Sequence, residues 1–299
     1  KNNFFNLYGQ QQILEKEIGN DNEIIKNCKI INSKDFISDD ESPLTAAKKG
    51  KETSMWKAIS SQVNNESHIS LSAGNTGALL VISRLILKTI KGISKPALAG
   101  LWPNNNNMNV VLDLGANVDC DEKNLVDFSI MGAALFKSLF DNDFPKVALL
   151  NIGLEEHKGN EVLKKASSIL KSISLKNFNF SGFIEGNQIM DGNVNVIITD
   201  GFTGNIALKT AEGTANFITK NFKNSLSKAS LLFSYKSLKK FKEKLDPRKY
   251  NGAILLGLQG PVVKSHGSTD EIGFAHSINM CNKIVNGNLI EKIKSHLIT

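Results

Sequence analysis

Four glycine-rich stretches hold the residue types that can do chemistry. They are Ser72-Ala73-Gly74-Asn75-Thr76-Gly77, Asp113-Leu114-Gly115-Ala116-Asn117-Val118-Asp119, the run from Asn151 through Gly153, Glu155, Glu156, His157, Lys158 and Gly159 to Asn160, and Thr199-Asp200-Gly201-Phe202-Thr203-Gly204-Asn205. Each follows a short apolar run. Glycine permits a tight turn and lets backbone approach a ligand closely. Unpaired N–H groups at the start of a following helix favour an anion. One such turn is ordinary loop composition, because loops use Gly and Asn for their own turns. Four at corresponding positions point to one shared site for a phosphate-like anion.

The elements that would carry these loops alternate. Strands are predicted over 69–72, 97–101, 110–114, 147–152, 178–183 and 194–199. Helices are predicted over 76–87, 122–140, 160–173 and 204–222, with a further helix start at Ser268-Thr269-Asp270-Glu271. Strand–helix alternation implies an α/β fold: a mostly parallel sheet with helices on both faces, and ligands outside the carboxyl ends of the strands. The Asn-rich 103–107 reads as a surface loop between two strands. The 299 residues suffice for one large α/β domain.

Composition narrows the class. No stretch approaches the roughly 18 apolar residues of a membrane span, and residues 1–4 carry no secretory signal pattern. They also lack an initiator Met, so the natural chain is expected to begin earlier. Cys28, Cys120 and Cys281 are far apart, without CxxC or zinc spacing, which fits a reducing cytoplasm. There is no GxxxxGK[ST], no GxGxxG after a strand, no GxSxG and no HExxH. Neither a metal nor a cofactor is expected.

The net charge is +7, yet only Arg84 and Arg248 are arginines. Between Lys220 and Lys249, nine lysines and Arg248 face only Glu243 and Asp246, an excess of eight that exceeds the whole chain's charge. The basicity is therefore one patch, and base readout, which favours Arg, is not expected: no nucleic-acid partner. Apolar Leu231, Leu232 and Phe233 stand beside Lys236, Lys239 and Lys240. An amphipathic, helical basic excursion over about 215–250 can lie on an anionic membrane surface or receive an acidic carrier, or be a helix pair with a solvated lysine face.

The segments 72–80 (SAGNTGALL), 112–119 (LDLGANVD), 149–161 (LLNIGLEEHKGNE), 199–213 (TDGFTGNIALKTAEG) and 255–268 (LLGLQGPVVKSHGS) resemble, in order, the bacterial phosphate acyltransferase (PlsX) family. The resemblance implies transfer of a fatty acyl group from acyl-[acyl carrier protein] to inorganic phosphate, giving acyl phosphate for phospholipid synthesis. It also implies a fold like that of isocitrate dehydrogenases and phosphotransacetylases, and a homodimer. Two departures stand out. The family's first strand and Met-Gly-Gly-Asp loop have no counterpart, so residues 1–299 read as a single domain lacking an N-terminal βα unit. Leu154 sits where the family often has an acidic residue. The alternatives are an acyl-CoA-using phosphotransacetylase and a non-catalytic lipid- or carrier-binding protein; a related oxidoreductase would need a dinucleotide motif and a metal–carboxylate cluster.

Phosphate attacking a thioester needs no serine or cysteine nucleophile, only anion binding, oxyanion stabilisation and alignment. Lys158, in a Gly-flanked loop, is expected to supply charge. Asp200 either orients it or caps a helix. His266 either protonates the leaving thiolate or serves the adjacent helix start. Asn75, Thr76, Asn117 and Asn205 can donate to phosphate or carbonyl, or make turns. Ser72, Gly74, Gly77, Asp119, Glu156, Gly159, Asn160, Gly201, Phe202, Lys209 and Lys264 complete the expected substrate-binding set.

Overall fold

A computed structural model describes residues 3–140, 144–173, 177–225 and 247–297. In chain order the elements are β1 (Phe5–Gly9), α1 (Gln11–Ile18), α2 (Asn22–Asn27), β2 (Cys28–Asn32), α3 (Pro43–Lys49), α4 (Ser54–Val63), β3 (Ser70–Ser72), α5 (Thr76–Leu87), β4 (Ala97–Pro103), β5 (Met108–Leu112), α6 (Glu122–Leu139), β6 (Lys146–Asn151), α7 (Glu161–Ser172), β7 (Asn179–Glu185), β8 (Val196–Ile198), α8 (Gly201–Ser225), β9 (Ala253–Leu256), β10 (Val262–Lys264), α9 (Glu271–Asn286) and α10 (Leu289–His296). Leu231, Leu232, Phe233, Lys236, Lys239 and Lys240, together with most of the expected excursion, lie outside the described residues.

Eight strands form one sheet in the order β3-β10-β9-β4-β5-β8-β6-β7. β5, β8, β6 and β7 run parallel, as do β3 and β10. β4 and β9 are antiparallel to each other, and each is antiparallel to its other neighbour. β1 and β2 pair parallel in a separate two-stranded sheet. The sheet is mostly parallel, as the alternation implies, and the antiparallel ladders of β4 and β9 make it mixed. β1, β2, β9 and β10 are strands beyond the six predicted from the alternation.

Helix α6 explains how the sheet is held. Its apolar residues face all round, the pattern of a buried helix. Phe128, Met131 and Leu135 are fully buried, against Leu112, Val147 and Val196 of β5, β6 and β8. Burying a side chain of that size contributes about 1.5–3 kcal/mol. A capping box starts the helix: Asp121 accepts from the Asn124 N–H, and Asn124 returns the bond. Gly132 sits where the helix meets the sheet most closely. A Cβ there would lie 2.6 Å from Val196 Cγ1 and 2.8 Å from Leu112 Cδ2.

Gly132→Ala therefore sets a helix-propensity gain of about 1 kcal/mol against an overpacking cost of about 1–3 kcal/mol. Short, stiff Val196 cannot give way, so the clash wins. Chemical denaturation should show a net loss of stability; a gain would contradict this packing.

Candidate active site

The site residues fall into two groups, and the topology separates them. From β3 to β5 the sheet passes through three antiparallel ladders, so β3 runs opposite to β5, β8 and β6. The turn after β3 therefore leaves the sheet at the edge opposite to the turns after β5, β6 and β8. The expectation of one shared pocket for all four loops is corrected: three loops converge, and Ser72–Gly77 joins a different partner.

At the first edge, everything is organised by Asp113. It is fully buried at the end of β5. Its Oδ1 accepts from the N–H groups of Leu98 (3.0 Å), Gly115 (3.1 Å) and Ala116 (2.9 Å). Its Oδ2 accepts from the backbone N–H and the side-chain Nδ2 of Asn117, both at 2.8 Å. Burial pushes the Asp113 carboxyl above the usual range, and the N–H donors pull it back. All five neighbouring groups are donors, so the ionised form is the one that fits them. The start of α8 packs directly on this turn. A Cβ at Gly204 would collide with the Asp113 backbone oxygen, and one at Gly201 with that of Asn117.

The asparagines at this edge serve the scaffold. Asn117 Nδ2 also donates to Pro96 O (2.7 Å), Asn205 Nδ2 to Leu114 O (3.3 Å), and Asn160 Oδ1 caps α7 through the Leu163 N–H (2.9 Å). Asp200 caps α8, accepting from Thr203 N–H (2.8 Å) and Oγ1 (2.9 Å). Glu156 is paired with Lys171, and Lys209 with Glu212. Lys158 is exposed and makes no ion pair among the described residues; its backbone is tied to Asn151 and Glu155. A cavity of about 520 Å³ opens here, lined by Val118, Asp119, Leu125, Val162, Asp200 and Phe202 among others. Its apolar wall and two carboxylates suit an anion poorly. Cys120 also lines it, and burial, with Asp113 nearby, pushes its thiol up to about 11, so it is no nucleophile at neutral pH.

The second edge is where β3 and β10 end side by side, Ser72 in register with Lys264. The Ser265 N–H donates to Ser72 O (2.9 Å), and Lys264 Nζ donates to Ala73 O (3.2 Å) and to Ser265 O. Asn75 caps α5 by accepting from the Ala78 N–H (3.0 Å). Its Nδ2 donates to the carbonyls of Asp39 and Glu41, each at 3.0 Å, pinning the 38–41 loop beside the turn. Its amide is thus engaged in building the turn. The N–H groups of Thr76 and Gly77 find no acceptor among the described residues. Half-buried Lys264 forms no ion pair among the described residues. Burial lowers its pKa, and the charge of Asp39 opposes that. His266 Nδ1 accepts from the Ser268 N–H (3.2 Å), with the Ser268 hydroxyl at 2.9 Å. That bond leaves the ring proton on Nε2. Asp270 then caps α9.

Two organising residues escaped the sequence reading. Asp113 lay inside one of the family-like motifs; its signal was an acid at a strand end followed by Gly, an Asx-turn pattern. Asn251 gave no local signal, because every partner of its side chain lies 14 or more positions away.

Residues 2–292 match the family described as fatty acid synthesis protein. The chain belongs to that family. It is 56% identical over 302 residues to a phosphate acyltransferase of Pelagibacter ubique, covering 99% of this chain and 90% of that protein. A phosphate acyltransferase of Paramagnetospirillum magneticum is 40% identical over 293 residues, covering 96% and 83%. Among solved structures, a phosphotransacetylase from Streptococcus pyogenes aligns with a TM-score of 0.58 at 18% identity, covering 96% of this chain and 94% of that one. The EutD phosphotransacetylase of Staphylococcus aureus aligns at 0.57 with 14% identity, covering 95% and 94%. These two establish the shared fold.

Asp113→Asn turns an NH2 toward backbone N–H groups, and loss of so buried an acceptor is expected to cost roughly 2–4 kcal/mol. Urea unfolding measures it; a change below about 0.5 kcal/mol, on the order of a surface substitution, would contradict the organising role.

Proposed function

We propose that the protein transfers a fatty acyl group from acyl carrier protein to inorganic phosphate, making acyl phosphate for lipid synthesis. The observation that carries this reading is the 56% identity, over 99% of the chain, to a phosphate acyltransferase. Phosphate is itself the nucleophile in such a transfer, so no covalent serine or cysteine intermediate is needed.

Phosphate is assigned to the second edge, on the free N–H groups of Thr76 and Gly77 and the ammonium of Lys264. A helix N-terminus and a cation together favour a dianion. Ser72 and Gly74 shape the turn. A phosphate oxygen attacks the thioester carbonyl carbon and forms the C–O bond. The tetrahedral oxyanion then collapses, and the C–S bond breaks with its electron pair going to sulfur. The proton that phosphate carried ends on the thiol, and His266 is assigned to relay it through Nε2. A thiolate with a pKa near 8.5 leaves without obligatory help, so His266 assists rather than dictates. Asp119, Gly159, Phe202 and the cavity beside them lie at the opposite edge and are assigned no part in the attack of phosphate on the thioester. Lys158, exposed on the neighbouring loop, is likewise assigned no part in that step.

Two surfaces extend the reading. Helix α8 exposes Phe202, Ile206 and Phe217 on one face, with Phe217 69% exposed. An apolar stripe of that size supports a homodimer through α8. The local charge excess of eight between Lys220 and Lys249, beside Leu231-Leu232-Phe233, supports peripheral contact with an anionic membrane. No described helix is long and apolar enough to cross a membrane.

With long-chain acyl carrier protein and phosphate, hydroxylamine trapping should give phosphate-dependent hydroxamate. None from the complete enzyme would overturn the reading, and an acyl-CoA preference would favour the phosphotransacetylase alternative. The pH profile carries a sign. Lys264's pKa is lowered, so its charge is lost at lower pH than an ordinary lysine's. The alkaline fall of kcat/KM for phosphate should lie below the ordinary lysine range and move up in Lys264→Arg. An unmoved limb would remove Lys264 from the phosphate site.

A further inference from the structure

We propose that Asn251 is a positioning residue that aims His266 at the start of α5; this rests on the reading that the β3–β10 edge binds phosphate. Asn251 stands just before β9, outside every glycine-rich loop. It is buried, at 9% exposure. Its Nδ2 lies 2.9 Å from Ser265 Oγ, 3.0 Å from Thr269 Oγ1 and 2.9 Å from Gly273 O. Two N–H groups serve three acceptors, so one bond is shared. Its Oδ1 accepts the backbone N–H of His266 at 2.9 Å. One amide thus holds four points of a single turn, from the residue before His266 to the first turn of α9.

Among the described residues, Asn251 is the one hydrogen-bond tie from His266's own atoms to the core. The His266 side chain is exposed, and its ring is tied only to Ser268. Its backbone is tied to Asn251 by the N–H, while its carbonyl accepts from Thr269, within the same turn. Ser265, its neighbour, is fully buried and bonded to Ser72 through backbone and to Asn251 through its hydroxyl. Asn251 itself is anchored by Ser277, whose hydroxyl donates to the Asn251 carbonyl at 3.3 Å. The chain of contacts therefore runs from α9 through Asn251 to Ser265 and His266, and from Ser265 on to Ser72. The loop also packs closely there: a Cβ at Gly267 would stand 3.4 Å from Ala73 O. Misplacing a reacting group by about 1 Å costs on the order of 10²-fold in rate, and removing Asn251 releases the His266 N–H while Ser265 stays bonded to Ser72.

The test is a double-mutant cycle on acyl-phosphate formation by the full-length enzyme, with Asn251→Ala, His266→Ala and the pair. His266→Ala should lower kcat at least about tenfold. Asn251→Ala should lower kcat roughly 10–100-fold, with KM for the acyl donor changed less than about threefold. Because Asn251 acts through His266, the double variant should fall within about twofold of the slower single one. Losses that multiply, or an Asn251→Ala enzyme at the wild-type rate, would overturn the proposal. His266→Ala at the wild-type rate would instead overturn the reading of the site. Should Asn251→Ala not fold, Ser265→Ala removes one of the four bonds; a loss of about 3–10-fold, again non-additive with His266→Ala, supports the proposal, and a multiplying loss overturns it.

Discussion

The parallel ladder between Ser70–Ser72 and Val262–Lys264 is the contact on which the rest depends. It joins segments about 190 positions apart, so it closes one of the longest loops in the chain. Three residues on each side suffice because both strands are covered by packed apolar side chains, Val262 and Val263 being fully buried. Without it the helix start at Thr76 has no lysine beside it, and the His266 loop has no wall. The proposed phosphate site is thus a product of topology: a helix N-terminus from one end of the sequence and a cation from the other.

The Asp113 turn plays the corresponding role at the opposite edge, by different means. There the constraint is the satisfaction of five N–H donors by one buried carboxylate. Each charge-assisted bond of this kind contributes about 1.5–3 kcal/mol, set against the desolvation that raises the Asp113 pKa. The same turn forces Gly201 and Gly204 at the start of α8. Motif residues that look like ligands for a substrate are, in Asn117, Asn205 and Asp200, the joints of that scaffold. A glycine-rich loop can be written the same way for either purpose, because turn chemistry and anion binding use the same donors.

Much of the fold was legible. The helix over 76–87 and the long buried helix over 122–139 have the boundaries, or nearly the boundaries, that periodicity predicts, because their apolar faces are long and capped by Asn75 and Asp121. β9 and β10 were not, because, unlike the equally short β3 and β8, neither runs within four residues into a helix whose period marks it. That omission matters for the site. With β10 unseen, the reversal of strand direction was unseen, and four similar loops read as one pocket. Lys264 and His266 were legible as residues, but their partner, the turn at 72–77, was fixed only by the ladder. Asn251 was not legible, since its four bonds all reach across the sequence.

Phosphate at the β3–β10 edge is what every assigned role depends on. A crystal structure of the protein soaked with tungstate, located by its anomalous signal, tests this most directly. The anion is expected against the Thr76 and Gly77 N–H groups and Lys264 Nζ. Tungstate bound instead beside Lys158 and Asp119, with that edge empty, would contradict it.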